Sequence, residues 1–353
     1  MLNWFKRNAR DLPWRRTRDP YAIWISEIML QQTPVKAVIP HWQRWTRRLP
    51  DVRALARARS DAVLKLWEGL GYYSRARNLQ QAARIIVDQH DARLPEKFEK
   101  VIALPGIGPY TAGAICSIAF NQPAPVLEGN VIRVLTRLFG IGGNPRGKEA
   151  NARLWRLAQD LVRAAARRQR PGERNCSHLN QSLMELGALI CSPRRPKCPL
   201  CPVQKHCVAW RENRTDEIPN LGPRTTSTGR RFAAFVVEKE GRVLVRRRPD
   251  NVVNARLWEF PNAQLDGHQL EARQLAENLF RSSHFAIIPF LQVRHTITRY
   301  RITMEVFRVE FIGRAPRTIA SGRWCSLREL RKLAFPSAHR KILQMLQTRP
   351  KSE

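Results

Sequence analysis

The sequence predicts a multidomain chain: an all-α domain over about residues 1–210, then an α+β domain over 230–353. Three observations carry this. From Tyr21 to about Trp210, apolar residues recur at spacings of three and four, as in Val52, Leu55, Val63, Leu66, Trp67 and Leu70, the period of helices that bury one face. The polar segment 211–229, with Pro219, Gly222, Pro223 and a Thr/Ser run, reads as a linker. Beyond it the texture changes. Phe232–Glu238 and Arg242–Arg246 form short strands around a Glu-Gly turn, Arg301–Phe311 alternates as another strand, and Leu270–Phe280 and Ala338–Leu346 are helical.

Composition narrows the partners. The 353 residues carry 62 Lys+Arg against 29 Asp+Glu, a formal charge of +33, which points to a polyanion. Only 12 of the 62 are Lys, so an Arg-rich codon bias accounts for a share of the excess. Basic residues outnumber acidic ones on both sides of the linker, which fits a broad basic surface better than an appended arm. No apolar run approaches the roughly 20 residues of a membrane span. Met1–Trp14 has no apolar signal core, so a cytoplasmic protein is expected. Seven cysteines without such a signal argue against a disulfide framework.

Four of those cysteines cluster as Cys191-X6-Cys198-X2-Cys201-X5-Cys207. In a reducing compartment, four thiolates this close converge on metal. Zinc suits a tetrahedron of sulfurs but usually takes two short Cys-X2-Cys hooks, and only one is present. The spacing resembles the [4Fe–4S] loop of helix-hairpin-helix DNA glycosylases. Arg194, Arg195 and Lys197 lie within this loop, as phosphate contacts or as ordinary solvated charges.

The second motif is Leu104-Pro105-Gly106-Ile107-Gly108-Pro109-Tyr110-Thr111-Ala112-Gly113. Pro105 ends one helix. Gly106 and Gly108 allow a tight turn with free N–H groups, and a new helix starts near Pro109 with its positive dipole end outward. Such a turn grips a phosphate without reading sequence. Gly-X-Gly alone is usually just a turn; with its flanks it resembles a helix-hairpin-helix motif.

The third is Ala22–Gln32, AIWISEIMLQQ, apolar almost all round with Glu27 as its only charge. A helix apolar on every face is buried. A lone buried carboxyl should have a raised pKa and stay protonated near neutrality, as a general acid requires. The competing reading is a structural Glu paired with Arg15.

WISEIMLQQT, EGLGYYSRARNL, LPGIGPYTAGAI, LEGNVIRVL and the cysteine loop follow the order of MutY-type adenine DNA glycosylases, which the chain resembles over about residues 4–210. GRVLVRRR and LWEFP resemble, more weakly, that family's Nudix-like domain. The resemblance implies a six-helix part at about 17–124, a cluster part at 1–16 and 125–210, and a [4Fe–4S] cluster on Cys191, Cys198, Cys201 and Cys207. It implies a probe of double-stranded DNA, acting as a monomer in the bacterial nucleoid, that flips out and excises adenine mispaired with 8-oxoguanine or guanine. Glu27 matches the acid that protonates adenine N7, and Tyr110 and Asn130 match groups bonded to a second carboxylate. Tyr110 replaces the Schiff-base Lys of endonuclease III-type relatives, so no strong lyase activity is expected. Gln32 and Tyr72 match residues that fill the stack when adenine leaves; Gly69 and Gly71 favour an exposed hairpin tip there. Arg15 and Gln181 match the adenine pocket.

Two departures stand out. The family's Asp beneath the sugar is Glu128 here, one methylene longer and a poorer N-cap. The family's Phe-Ser-His reading loop is Ile297-Thr298-Arg299 here, after Arg294-His295-Thr296. Thr298 offers a hydroxyl, and Arg299 addresses either a purine Hoogsteen edge or a phosphate. Glu271 and Glu277 are the only acids in the helix corresponding to the Nudix metal-binding helix, so nucleotide hydrolysis is not expected. Two alternatives remain: a glycosylase of altered base or opposite-base specificity, and a non-catalytic iron–sulfur mismatch-binding protein.

Overall fold

The computed structural model describes residues 1–222, 226–265, 272–297, 299–313 and 315–348. By compactness the chain forms two units, Met1–Ala58 with Asn78–Arg224, and Arg59–Arg77 with Thr225–Glu353. The second unit thus takes in a helical piece that a linear division at the 211–229 segment assigns to the first. The physical reason is a set of hydrogen bonds between that piece and residues 333–335.

The first unit is helical. Pro20–Leu30 starts on Asp19, whose carboxylate accepts the N–H groups of Tyr21 and Ala22, with Pro20 at the first position. Tyr21 through Met29 are all buried, as the all-round apolar pattern requires. Phe98–Ile102 and Pro109–Ile118 flank the glycine turn. Gly106 has φ +77°, and a Cβ there would meet Asn78 Cβ at 2.7 Å. Gly108 caps the second helix in an ordinary extended conformation with open space beside it. Gly129–Leu138, Lys148–Arg167 and Asn175–Leu189 pack around Val131, Leu135, Leu154, Val162 and Leu186.

Among the described residues the second unit is built on a seven-stranded sheet: β1 Thr228–Lys239, β2 Arg242–Arg247, β3 Trp258–Glu259, β4 Asn262–Leu265, β5 Phe285–Ile297, β6 Tyr300–Phe311 and β7 Gly322–Ser326. The order is β3-β2-β1-β6-β5, with β4 on β1 and β7 on β2; β1 and β6 run parallel. β1 sends Ala234 and Val236 to one face and Ala233, Phe235 and Val237 to the other, so this apolar run is a strand buried on both sides. Ser337–Gln347 covers the first face and Ala272–Phe280 the second. Two details differ from the sequence reading. Thr228 and Gly229, assigned to the linker, already pair with Tyr300 and Arg301. β5 is a full strand that the sequence left unassigned; its mixed exposure and its bulge between Pro289 and Leu291 blur the period-two signal. No helix among the described residues is long and apolar enough to cross a membrane.

Candidate active site

Six of the expected residues, Arg15, Glu27, Tyr110, Glu128, Asn130 and Gln181, line one cavity of about 270 Å³ in the first unit. Glu27 is 5% exposed, and its carboxylate accepts the Tyr110 hydroxyl at 2.7 Å. Burial pushes its pKa up to about 7; the Tyr110 bond opposes this, nearby Glu128 adds to it and the charge of Arg15 tempers it. Burial and Glu27 together push the Tyr110 hydroxyl far above its usual range, so it stays protonated.

Arg15 is not the hydrogen-bonded partner of Glu27. Its guanidinium donates to Glu185 Oε2 at 2.9 Å and to the Arg10 carbonyl at 3.0 Å. Arg10 binds the same carboxylate with Nε and Nη2, each at 2.8 Å. Burial raises the pKa of Glu185, but the hydrogen bonds from Arg10 and Arg15 outweigh it and hold the group at about 2. Sequence reasoning missed Glu185 and Arg10. The available signal was spacing: Glu185 lies four residues after Gln181 on the Asn175–Leu189 helix, on the same face. Gln181 donates to Ser177 Oγ at 3.1 Å.

Glu128 caps the Gly129–Leu138 helix despite its length. One carboxylate oxygen accepts the Asn130 N–H at 2.9 Å and its amide at 3.2 Å, and the other accepts the Val131 N–H at 3.0 Å. The side chain folds back to reach the groups a shorter Asp would meet directly. Burial raises its pKa, against these hydrogen bonds and the charge of Arg133. Asn130 is fixed in turn: Arg133 donates to its Oδ1 at 2.7 Å, to the Gly187 carbonyl at 2.7 Å and to the Cys191 carbonyl at 2.6 Å. A Cβ at Gly187 would meet Asn130 Cβ at 2.5 Å, so only glycine lets these two helices approach here.

Cys191, Cys198, Cys201 and Cys207 line one pocket with Arg137 and Trp210. Arg137 is buried, donates to Cys191 Sγ at 3.4 Å and to the Ser192 carbonyl at 2.7 Å, and its carbonyl lies 3.4 Å from Cys207 Sγ. Among the described residues no three thiols, imidazoles or carboxylates are grouped to hold a single metal ion. The four thiols lining this pocket make up the donor set that an iron–sulfur cluster takes.

The remaining expected residues are not among those lining the cavity. Gln32 and Tyr72 are exposed and adopt left-handed φ values of 56° and 45°, strained for non-glycine residues. Tyr72, 43% exposed, belongs to the second unit. Arg299 sits in the turn between β5 and β6 and donates to the Tyr300 hydroxyl at 3.1 Å, while Arg230 lies 3.9 Å from the Tyr300 ring centre. Thr298 and Glu271 lie outside the described residues; Glu277 pairs with Arg273.

A helical unit with a glycine hairpin, a buried acid and a four-cysteine loop defines a base-excision glycosylase. Residues 25–160 match the HhH-GPD superfamily of base excision DNA repair proteins, and residues 233–345 match the NUDIX domain. A thermostable thymine-DNA glycosylase superposes with a TM-score of 0.52 at 31% identity, over 60% of this chain and 93% of that one. The adenine DNA glycosylase of Rattus norvegicus is 36% identical over 98% of this chain and 77% of its own length. That of Buchnera aphidicola subsp. Schizaphis graminum is 32% identical over 98% and 97%. The chain belongs to the adenine DNA glycosylases, enzymes that hydrolyse N-glycosyl bonds in base excision repair.

Proposed function

We propose that the protein excises adenine mispaired with 8-oxoguanine or guanine in double-stranded DNA, by acid-assisted departure of the base and without strand cleavage. The carrying observation is Glu27: buried, bonded to a hydroxyl instead of a guanidinium, and poised at about 7. Protonated Glu27 delivers its proton to adenine N7, so the base leaves neutral. As the C–N bond breaks, positive charge grows on the deoxyribose and the Glu128 carboxylate stabilises it or traps it covalently. Tyr110 holds Glu27 and, lacking an amine, forms no Schiff base. Arg15 and Gln181 line the base pocket, Glu185 and Arg10 keep Arg15 in place, and Tyr72 and Gln32 enter the stack. Gly106 and Gly108 take a backbone phosphate.

Cys191, Cys198, Cys201 and Cys207 would hold a [4Fe–4S] cluster in the loop that also carries Arg194, Arg195 and Lys197. In the C-terminal domain Arg299 faces the opposite strand where the family carries Ser and His, which supports weaker or different discrimination of the opposite base. Single-turnover adenine release opposite 8-oxoguanine, guanine and cytosine, by wild type and Glu27→Gln, tests this. Equal rates in the two proteins would remove the acid mechanism, and a large preference for 8-oxoguanine would remove the altered-discrimination reading.

A further inference from the structure

The hairpin that carries Tyr72 is held from two sides within the second unit. On the inside, buried Arg75 donates to the Leu70 carbonyl at 2.8 Å and the Gly71 carbonyl at 3.2 Å, and lies 5.2 Å from the Trp67 ring and 5.7 Å from the Tyr72 ring. Trp67 Nε1 donates to the Gly71 carbonyl at 3.0 Å. On the other side, both flanks of the tip meet a single residue's backbone. The Phe335 N–H donates to Glu68 Oε1 at 2.9 Å, and the Tyr73 hydroxyl donates to the Phe335 carbonyl at 3.2 Å. Lys65 adds a third tie, donating to Glu68 Oε2 at 2.7 Å and to the Leu333 carbonyl at 2.8 Å.

Phe335 is itself immobilised. Its side chain is fully buried, stacks on Phe260 and shares a core with Val293 of β5 and Met304 of β6. Those two strands lead to the turn that bears Arg299. A hairpin tip with two glycines at φ 106° and 70° and a left-handed tyrosine has no regular secondary structure to hold it. Its geometry therefore depends on these side-chain bonds.

We propose that Glu68 and Tyr73 are positioning residues that tie the Tyr72 hairpin to the 333–335 segment of the C-terminal domain. This makes that domain the support that presents the wedge as well as the surface facing the opposite strand. The inference rests on the reading of Tyr72 as the residue that enters the stack. Losing hydrogen bonds that include one to a charged carboxylate should weaken presentation of the wedge by roughly 10-fold or more.

The experiment uses the full chain and a duplex with one adenine–guanine mismatch and 2-aminopurine beside the adenine. Its fluorescence reports opening of the stack, and single-turnover adenine release reports chemistry. Tyr72→Ala, Tyr73→Phe and the pair Glu68→Ala with Tyr73→Phe are compared with wild type. A second substrate carries the adenine in an unpaired bubble, where no stack needs opening. The expected result is a smaller fluorescence rise and about 10-fold slower release from the mismatch for the paired variant, with bubble release unchanged, and a smaller loss of the same kind for Tyr73→Phe. If Tyr72→Ala slows mismatch release and the Glu68 and Tyr73 variants do not, the tie is overturned while the wedge stands. If they slow both substrates equally, their role is general and the proposal fails. If Tyr72→Ala itself leaves mismatch release unchanged, the wedge reading fails first.

Discussion

Each unit buries a carboxylate, and the two behave in opposite ways. Glu27 in the helical unit is 5% exposed and is pushed up to about 7. Glu259 in the C-terminal unit is 2% exposed yet is held below its ordinary value. Burial raises both. The difference is the company: Glu259 is paired at one oxygen with Arg246 at 2.8 Å and at the other with Arg248. His339 Nε2 lies 3.8 Å from the Glu259 carboxylate and also lowers it, although burial pushes the imidazole itself down to about 4; its Nδ1 accepts the Phe260 N–H at 3.2 Å. His339 and the two arginines together outweigh the burial. Glu185 repeats the pattern inside the cavity that holds Glu27, with Arg10 and Arg15. Burial makes a proton donor only where no guanidinium is bonded to the acid; where one is, the same burial makes a fixed ion pair.

The comparison can be broken most directly at Glu27. Glu27→Gln keeps an acceptor for Tyr110 but has no proton to give, so single-turnover adenine release should fall by roughly 100- to 10,000-fold with little loss of stability. The matching change at Glu259→Ala should do the reverse. It leaves two partly buried guanidinium groups without their carboxylate, and denaturant unfolding of the C-terminal domain should show a loss of about 1–3 kcal/mol.

The same contrast sets opposite pH signatures. Release that needs protonated Glu27 should be full below about pH 7 and fall about tenfold per pH unit above it. Glu185 has a depressed pKa, so its contribution to stability is present above the ordinary carboxyl range and is lost as pH falls toward about 2. Thermal melting from pH 6 down to 3 should therefore show destabilisation that Glu185→Gln lacks. A rate that climbs with pH through 7 would sink the first half of this pair.

Smaller effects sharpen the picture around the second carboxylate. Gly187→Ala pushes a methyl group into Asn130, and about 1–3 kcal/mol of stability should be lost along with a slower release step. Glu128→Asp should change least. Asp caps a helix at least as well, so melting should stay within about 1 kcal/mol of wild type. A release rate within about tenfold would show that the folded-back Glu already delivers its carboxylate where the shorter side chain would.

Much of this was legible in the chain. The all-round apolar helix implied that Glu27 is buried, the Pro-Gly turn marked where one helix ends and the next begins, and Phe232–Glu238 was legible as a strand. These follow from local spacing and from hydrophobic burial, which a linear sequence displays directly. Whether Arg15 neutralises Glu27 or serves another acid could not be read, because its partner Glu185 lies 170 residues away and a guanidinium reaches whichever carboxylate the fold brings near. The capping by Glu128 was also invisible, since N-cap preference argues against Glu and only the backbone at 128–131 shows the longer arm folding back. The support of the Tyr72 hairpin by Phe335 lay further still from any sequence pattern, because it uses main-chain groups that every residue carries. The sequence by itself determined which side chains are buried and which chemistry they offer. The tertiary structure decided how each buried charge is paired, because pairing depends on distances of a few ångströms between segments remote in the chain.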